Sequence, residues 1–245
     1  MDEERVFTPE ELRVASQRSV DAMADALSSG DRKAAARFGR RQRREVLSMK
    51  GNYDNWEAGL LGWVQRHHGD AAESAARTSI AEPGGPLPAV PDVSDGAAFE
   101  DRWRALAGEI GDHFENRRDQ EALTLARALH TEALAYHDRG MARVNALLSW
   151  IGRTYGMEAL EEAYVESMAG EMLGNASYRE RAEALMHFTR IHLQSFSLEE
   201  DDEKLTFECA VCPSGGRLIQ AGHFEGPDAA LHVEGPSWLT WGRGS

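Results

Sequence analysis

The sequence predicts a mainly α-helical protein: about nine helices in two related halves, closed by a small β-rich C-terminal tail that carries a Cys-x2-Cys knuckle. Three observations predict it. Helix start and stop signals punctuate the chain as far as residue 197. A segment that begins at Leu60 is echoed from Leu147 onward. After Ser197 the pattern changes to short β-type runs separated by glycine-rich turns.

The elements follow in order. Thr8-Pro9-Glu10-Glu11 reads as a capping box, in which the hydroxyl accepts an orphan amide and the acids face the positive helix end. It opens a helix over residues 9–28 that stops near Gly30. Asp31 caps a second helix, to Gly51, and Asp54 with Glu57 opens a third that Gly69 closes. Asp70 with Glu73 opens a fourth, to Ala81. Residues 82–94, EPGGPLPAVPDVS, hold four of the eight prolines and read as an extended linker. A fifth helix spans 96–116. Asp119 caps a sixth that reaches Asp138–Gly140. A seventh covers Leu147–Tyr155 and closes at Gly156, and an eighth runs to Gly174. Ser177 with Glu180 boxes a ninth, to Phe196. Glu199–Asp202 reads as an acidic turn. Residues 205–212 and 216–222 read as strands joined by a glycine-rich turn, with further short strands at 232–235 and 237–242. The organisation is therefore a first helical unit (1–81), the linker, a second helical unit (95–197) and the tail (198–245).

The relation between the halves rests on residues 60–76 and 147–163. At an offset of 87, seven of 17 positions are identical, among them Trp63 with Trp150 and Gly69 with Gly156. Both copies read as helix, glycine stop, helix. A true duplication makes the two tryptophans equivalent core anchors and leaves room for a pocket between the halves. The plainer alternative is that amphipathic helices ending in glycine resemble one another.

Composition narrows the function. A net charge of −14 opposes nucleic acid and anionic membrane, whose phosphates demand cations. No run of 18 apolar residues is present for a membrane span, and the acidic N-terminus lacks the apolar stretch of a signal peptide. Two cysteines fit a reducing cytoplasm. One local exception stands out. Residues 32–44 hold seven cations with no acid between them. They read either as a solvated helix face that offsets acid elsewhere, or as a site for an anionic ligand or acidic partner.

Three sets of residues carry candidate chemistry. Cys209 and Cys212 sit where a strand enters a glycine-rich turn, which aims two thiolates at one point. His223 and His232 lie downstream to complete a tetrahedral zinc site. A redox pair or plain unligated thiols are the alternatives, and a chain end that cuts off further ligands is another. On the helices, His130 and His137 share a face, as do Glu180, Glu183 and His187. His137, Asp138, Asp54 and His187 are the candidates for acid–base or ligand roles. Inward-facing His and carboxylates are how bundles build such sites, although the Glu-x-x-His pair of di-iron bundles is missing. Capping aspartates and singly bonded surface histidines are the plain alternative. Tyr53, Trp56, Trp63, Tyr136 and Trp150 form the third set, read first as core and second as pocket lining. Walker, dinucleotide-binding, nucleophile-elbow and His-Glu-x-x-His motifs are absent from the sequence.

The resulting expectation is a soluble, bacterial-type metabolic enzyme or ligand-binding protein. A small polar or anionic molecule lies between the helical halves, and structural zinc sits in the tail. Nucleic acid and membrane are not its partners, and self-association is left open. The rival expectation is a non-catalytic helical interaction module, or a regulator sensing metal or redox state through the thiols.

Overall fold

The computed structural model describes residues 6–81, 96–169, 177–201, 203–211, 216–220 and 237–242. The protein is mainly helical, with a small antiparallel sheet. The helices are α1 (Pro9–Ser16), α2 (Ser19–Ser28), α3 (Arg32–His68), α4 (Asp70–Ala81), α5 (Gly96–Glu115), α6 (Asp119–Tyr155), α7 (Met157–Tyr164, continued by a π-helical turn, Val165–Ala169), α8 (Tyr178–Ile191) and α9 (Gly216–Gln220). The strands β1 (Ser197–Glu200), β2 (Lys204–Cys209) and β3 (Ser237–Gly242) form a sheet of order β1-β2-β3, antiparallel throughout. Among the described residues no helix is long and apolar enough to cross a membrane.

The framework is two helices of 37 residues each, α3 and α6. They run parallel, because contacts between them advance together: Arg32 Nε meets Asp119 at 2.7 Å, Gln42 Nε2 donates to the Ala126 carbonyl at 2.8 Å, and Arg143 Nη2 meets Glu57 at 2.5 Å. Each ends at a glycine of positive φ, Gly69 at 85° and Gly156 at 95°, a conformation that penalises any Cβ. The neighbours pack reciprocally: α2 and α5 each touch both long helices, α4 packs on α6, and α7 packs on α3. Residues 87 apart meet at both ends of the pair, Arg32 with Asp119 and His68 stacked on Tyr155 with centroids 3.6 Å apart.

The main core lies between these helices. Met49, Leu60, Val64, Leu129, Leu147 and Ile151 are all 0% exposed, and each contributes about 1.5–3 kcal/mol by leaving water. Trp63 is buried, whereas Trp150 is partly buried at the edge of the same core. A second, smaller core beneath the sheet joins Phe7, Met186, Phe196, Leu205, Phe207 and Cys209. The alternation along β2 turns Leu205, Phe207 and Cys209 inward. Backbone amides of Val6 and Phe7 bond the Glu200 carboxylate at 3.2 and 3.0 Å, so the N-terminal segment packs with the tail.

Several boundaries differ from the sequence reading. The first helix is broken at Gln17 and Arg18, whose backbones are extended. The carbonyls of Val14, Ala15 and Gln17, freed at that break, are taken by Arg41 and Arg190 from other helices. The expected stops at Gly51 and Gly140 do not occur. Asp54 is no cap; it lies mid-helix, bonded to Lys50 Nζ at 2.5 Å and the Tyr136 hydroxyl at 2.8 Å. At Gly140 a Cβ would come 2.8 Å from Tyr53 Cγ, so glycine there permits the close approach of α3 and α6. The expected acidic turn is partly strand β1, which pairs with β2. Residues 216–220 form a helix rather than a strand, placing Leu218 in the main core. Strand β3 lies where residues 237–242 were expected to form one. The Pro-rich linker and the 232–235 segment lie outside the described residues.

Candidate functional site

A buried polar network sits where α3, α6, α8 and α9 converge. His137 and Asp138 come from the middle of α6. His192 is the residue that caps α8, Tyr53 comes from α3, and Arg217 from α9. His137 is 1% exposed and His192 2%, so neither imidazole sits in bulk water. Tyr53 is wedged edge-on against both Trp56 and His137, with centroids 5.2 and 5.3 Å away. Phe188 lies edge-on to His192 at 5.1 Å.

The contacts form a chain. The Asp138 carboxylate oxygen Oδ1 is 2.8 Å from His137 Nδ1, and His137 Nε2 is 2.8 Å from His192 Nδ1. Arg217 donates to the same Asp138 oxygen, from Nη2 at 2.7 Å and from Nε at 3.2 Å. Its Nη1 reaches Gln194 Oε1 at 3.0 Å, and Gln194 in turn holds the Val211 carbonyl at 2.8 Å. The Tyr53 hydroxyl is 3.4 Å from His192 Nδ1. His192 Nε2 has no hydrogen-bond partner among the described residues.

Electrostatics fix the proton positions. Burial pushes the His137 imidazolium below its ordinary range; Asp138 opposes that shift and Arg217 adds to it. Burial pushes His192 much further down, assisted by His137 and Arg217. Burial alone would raise the Asp138 carboxyl, but hydrogen bonds from His137 and Arg217 outweigh it and hold the group below the usual carboxylate range. Asp138 is therefore ionised and both histidines are neutral near pH 7. Arg217 Nη2 also lies 2.8 Å from His137 Nδ1, but its own hydrogens have acceptors in Asp138 Oδ1 at 2.7 Å and the His192 carbonyl at 3.5 Å. A carboxylate oxygen and a ring lone pair facing each other at 2.8 Å would repel, so Nδ1 carries the hydrogen and gives it to Asp138. His137 Nε2 then accepts the Nδ1–H of His192. This leaves the His192 Nε2 lone pair as the basic end of the chain.

Of the sequence-predicted residues, His137 and Asp138 lie in this network and Asp54 and His187 do not. Asp54 belongs to the Lys50–Tyr136 group. His187 is half-buried on α8, where burial and the nearby Arg190 and Arg44 lower its basicity. His130, two turns before His137, is likewise held low, to about 4, by burial first and then by Arg18. Cys209 is buried at the end of β2, while Cys212, His223 and His232 lie outside the described residues. Sequence reasoning missed His192, Tyr53 and Arg217 as members. The adjacency of His137 and Asp138 was visible, but their partners stand 55 and 80 positions away from His137. Among the described residues, His67, Glu162 and Glu166 also place ligand atoms within 4.8 Å of one another, all exposed. The chain matches no protein-family model, no curated protein and no solved structure.

Proposed function

We propose that this chain is an enzyme acting on a small molecule by proton transfer, with His192 as general base. The observation that carries this reading is the aligned chain Asp138–His137–His192, with both imidazole contacts at 2.8 Å. In this reading Nε2 of His192 takes a proton from an acidic O–H or C–H of the substrate. The positive charge that develops on His192 is shared through its Nδ1–H with His137, and the Asp138 carboxylate offsets it through the His137 Nδ1–H. His137 and Asp138 act as positioning residues, since they reach the substrate only through His192. Hydrogen bonds from His137 and Arg217 hold Asp138 ionised, while burial, with Arg217 adding to it, keeps both imidazoles neutral.

The two helical units belong to the same proposal. The equal lengths of α3 and α6, their glycine stops and the meeting of residues 87 apart support an origin by duplication. Tyr53 comes from the first unit and His137 with Asp138 from the second, so the chemistry sits where the units join.

A second reading has one observation in its favour. Arg217 donates only to protein groups, Asp138, Gln194 and the His192 carbonyl, as a fastener of α9 to the bundle would. In that reading nothing is turned over. The two separate cleanly when wild type, His192→Ala and His192→Gln are incubated with a defined mixture of small metabolites and consumption is followed by mass spectrometry. Folding of each variant is checked by circular dichroism. Turnover of a compound by wild type that both folded variants have lost is the expected result. No consumption by wild type, or equal consumption by folded variants, removes His192 from catalysis.

A further inference from the structure

Most of the cation-rich stretch of α3 is a solvated face, with Lys33, Arg37, Arg40, Arg43 and Arg44 exposed, but two of its arginines are committed to protein groups. Arg32 is spent on Asp119 and the Phe114 carbonyl. Arg41 turns inward: Nε bonds the Ser19 hydroxyl at 2.7 Å and faces Glu45 at 3.4 Å, while its two terminal nitrogens hold the Val14 and Gln17 carbonyls. From α8, Arg190 Nε bonds the same Glu45 oxygen at 2.9 Å and Nη1 holds the Ala15 carbonyl at 3.0 Å. The second Glu45 oxygen takes the Ser19 hydroxyl at 2.5 Å. The Arg41, Arg190 and Glu45 side chains are only 13%, 14% and 3% exposed. Two shielded guanidiniums thus share one carboxylate, an excess of positive charge within this group where water screens poorly.

Nearby charge adds to the surplus. Arg37 and Arg44 stand one helical turn either side of Arg41 and have no carboxylate partner among the described residues. Burial, then repulsion from Arg190, Arg37 and Arg44, pushes Arg41 down to about 10, against the attraction of Glu45. A cleft of about 410 Å3 opens directly on this wall, between α1, α3 and α8. Its acids have partners of their own: Glu10 clasps Arg13 at 2.7 and 2.8 Å, while Glu11 and Glu183 share the single Arg179 at 2.8 and 2.9 Å. With Arg37, Arg41, Arg44 and Arg190 set against Glu45, the group as a whole keeps a net positive charge. Phe7, Val14 and Met186 supply an apolar floor. Arg190 Nη2 has no hydrogen-bond partner among the described residues, and Arg37 stands exposed at the rim.

We propose that this cleft is a binding site for a small anion, a carboxylate or phosphate on a short apolar carrier. Arg37 and Arg190 meet the charged group, and Phe7 and Met186 cover the carrier. The volume falls in the range of small-molecule sites, about 300–1,000 Å3. The site is separate from the histidine chain, although Arg190 and His192 share the C-terminal end of α8, and the proposal does not depend on the catalytic reading.

Calorimetric titration of the full chain with hexyl phosphate, hexanoate and hexanol tests it. Arg37→Glu removes a rim cation and adds repulsion without touching the Glu45 group. Arg40→Glu makes the same charge change on an exposed residue that does not line the cleft, and serves as control. One or both anions are expected to bind and hexanol not to. Arg37→Glu is expected to weaken binding about tenfold or more, Arg40→Glu to leave it within about twofold, and raising salt from about 50 to about 500 mM to weaken it as well. Preference for hexyl phosphate identifies a phosphorylated ligand, and equal or better binding of hexanoate identifies a carboxylate. No binding of either anion, hexanol binding as well as the anions, or equal losses in the two variants overturns the proposal.

Discussion

Replacing Asp138 by Asn tests the network with almost no change of shape. Its Oδ1 takes three contacts, from His137 Nδ1 at 2.8 Å and from Arg217 Nη2 and Nε at 2.7 and 3.2 Å. The amide keeps an oxygen for one donor but removes the charge that both donors address. It also leaves the Arg217 guanidinium facing a neutral group. Hydrogen bonds to a charged group contribute about 1.5–3 kcal/mol each, and breaking a fully buried pair costs about 3–5 kcal/mol. Side-chain exposures of 15% for Asp138 and 23% for Arg217 mean that solvent screens part of this. A loss of about 2–3 kcal/mol follows. Urea unfolding at pH 7.5 measures it, and long-range proton–nitrogen spectra of the imidazoles report the tautomers. In wild type His137 is expected as the Nδ1–H form and His192 likewise; in the variant His137 loses that preference. Stability within about 0.5 kcal/mol of wild type, together with unchanged imidazole spectra, would refute the assignment of Asp138 as the charged anchor of the chain.

Other outcomes follow from the same structure. His137 and His192 have folded pKa values below the ordinary 6.5, so the unfolded chain binds protons more readily. Their contribution is complete above pH 6.5 and is lost as pH falls from there toward the folded values; His130 and His187 act in the same direction. Melting temperatures are therefore expected to fall between pH 7.5 and 5, and a flat profile removes the neutral histidine pair. Gly140→Ala should gain about 1 kcal/mol by helix propensity but lose about 1–3 kcal/mol to overpacking against Tyr53, for a net loss of up to about 2 kcal/mol. Gly51→Ala, where a Cβ would meet nothing within 4 Å, should instead stabilise, and thermal melts of the two compare the signs directly. The zinc that the sequence suggests for the thiol pair of the tail is tested by elemental analysis of wild type and Cys209→Ser: metal in wild type alone supports it, and metal-free samples of both dismiss the knuckle.

How much was legible depended on the range of the interaction. Thr8 with Glu11 and Ser177 with Glu180 form the capping boxes that their spacing announces, because both partners lie within one helical turn. Asp31 caps α3 through the Ala34 amide at 2.9 Å, and Gly69 and Gly156 stop their helices, for the same local reason. Gly51, Asp54 and Gly140 carry equally good local signals, yet no helix ends or begins at them. There the long helices continue because burial along their full length outweighs a glycine's small local penalty. Asp54, freed from capping, bonds Tyr136 across the helix pair instead.

Sequence alone determined the helical class, the register of helix ends near their caps, the strand character of residues 205–209 and 237–242, and the adjacency of His137 with Asp138. These depend on backbone donors, glycine dihedrals and alternation, which neighbours in the chain decide. Only the tertiary structure decided which imidazole His137 faces, where Arg217 delivers its charge, and which arginines share Glu45. Those pairings join residues 55, 79 and 145 positions apart, and chain spacing carries no record of such contacts until packing closes them.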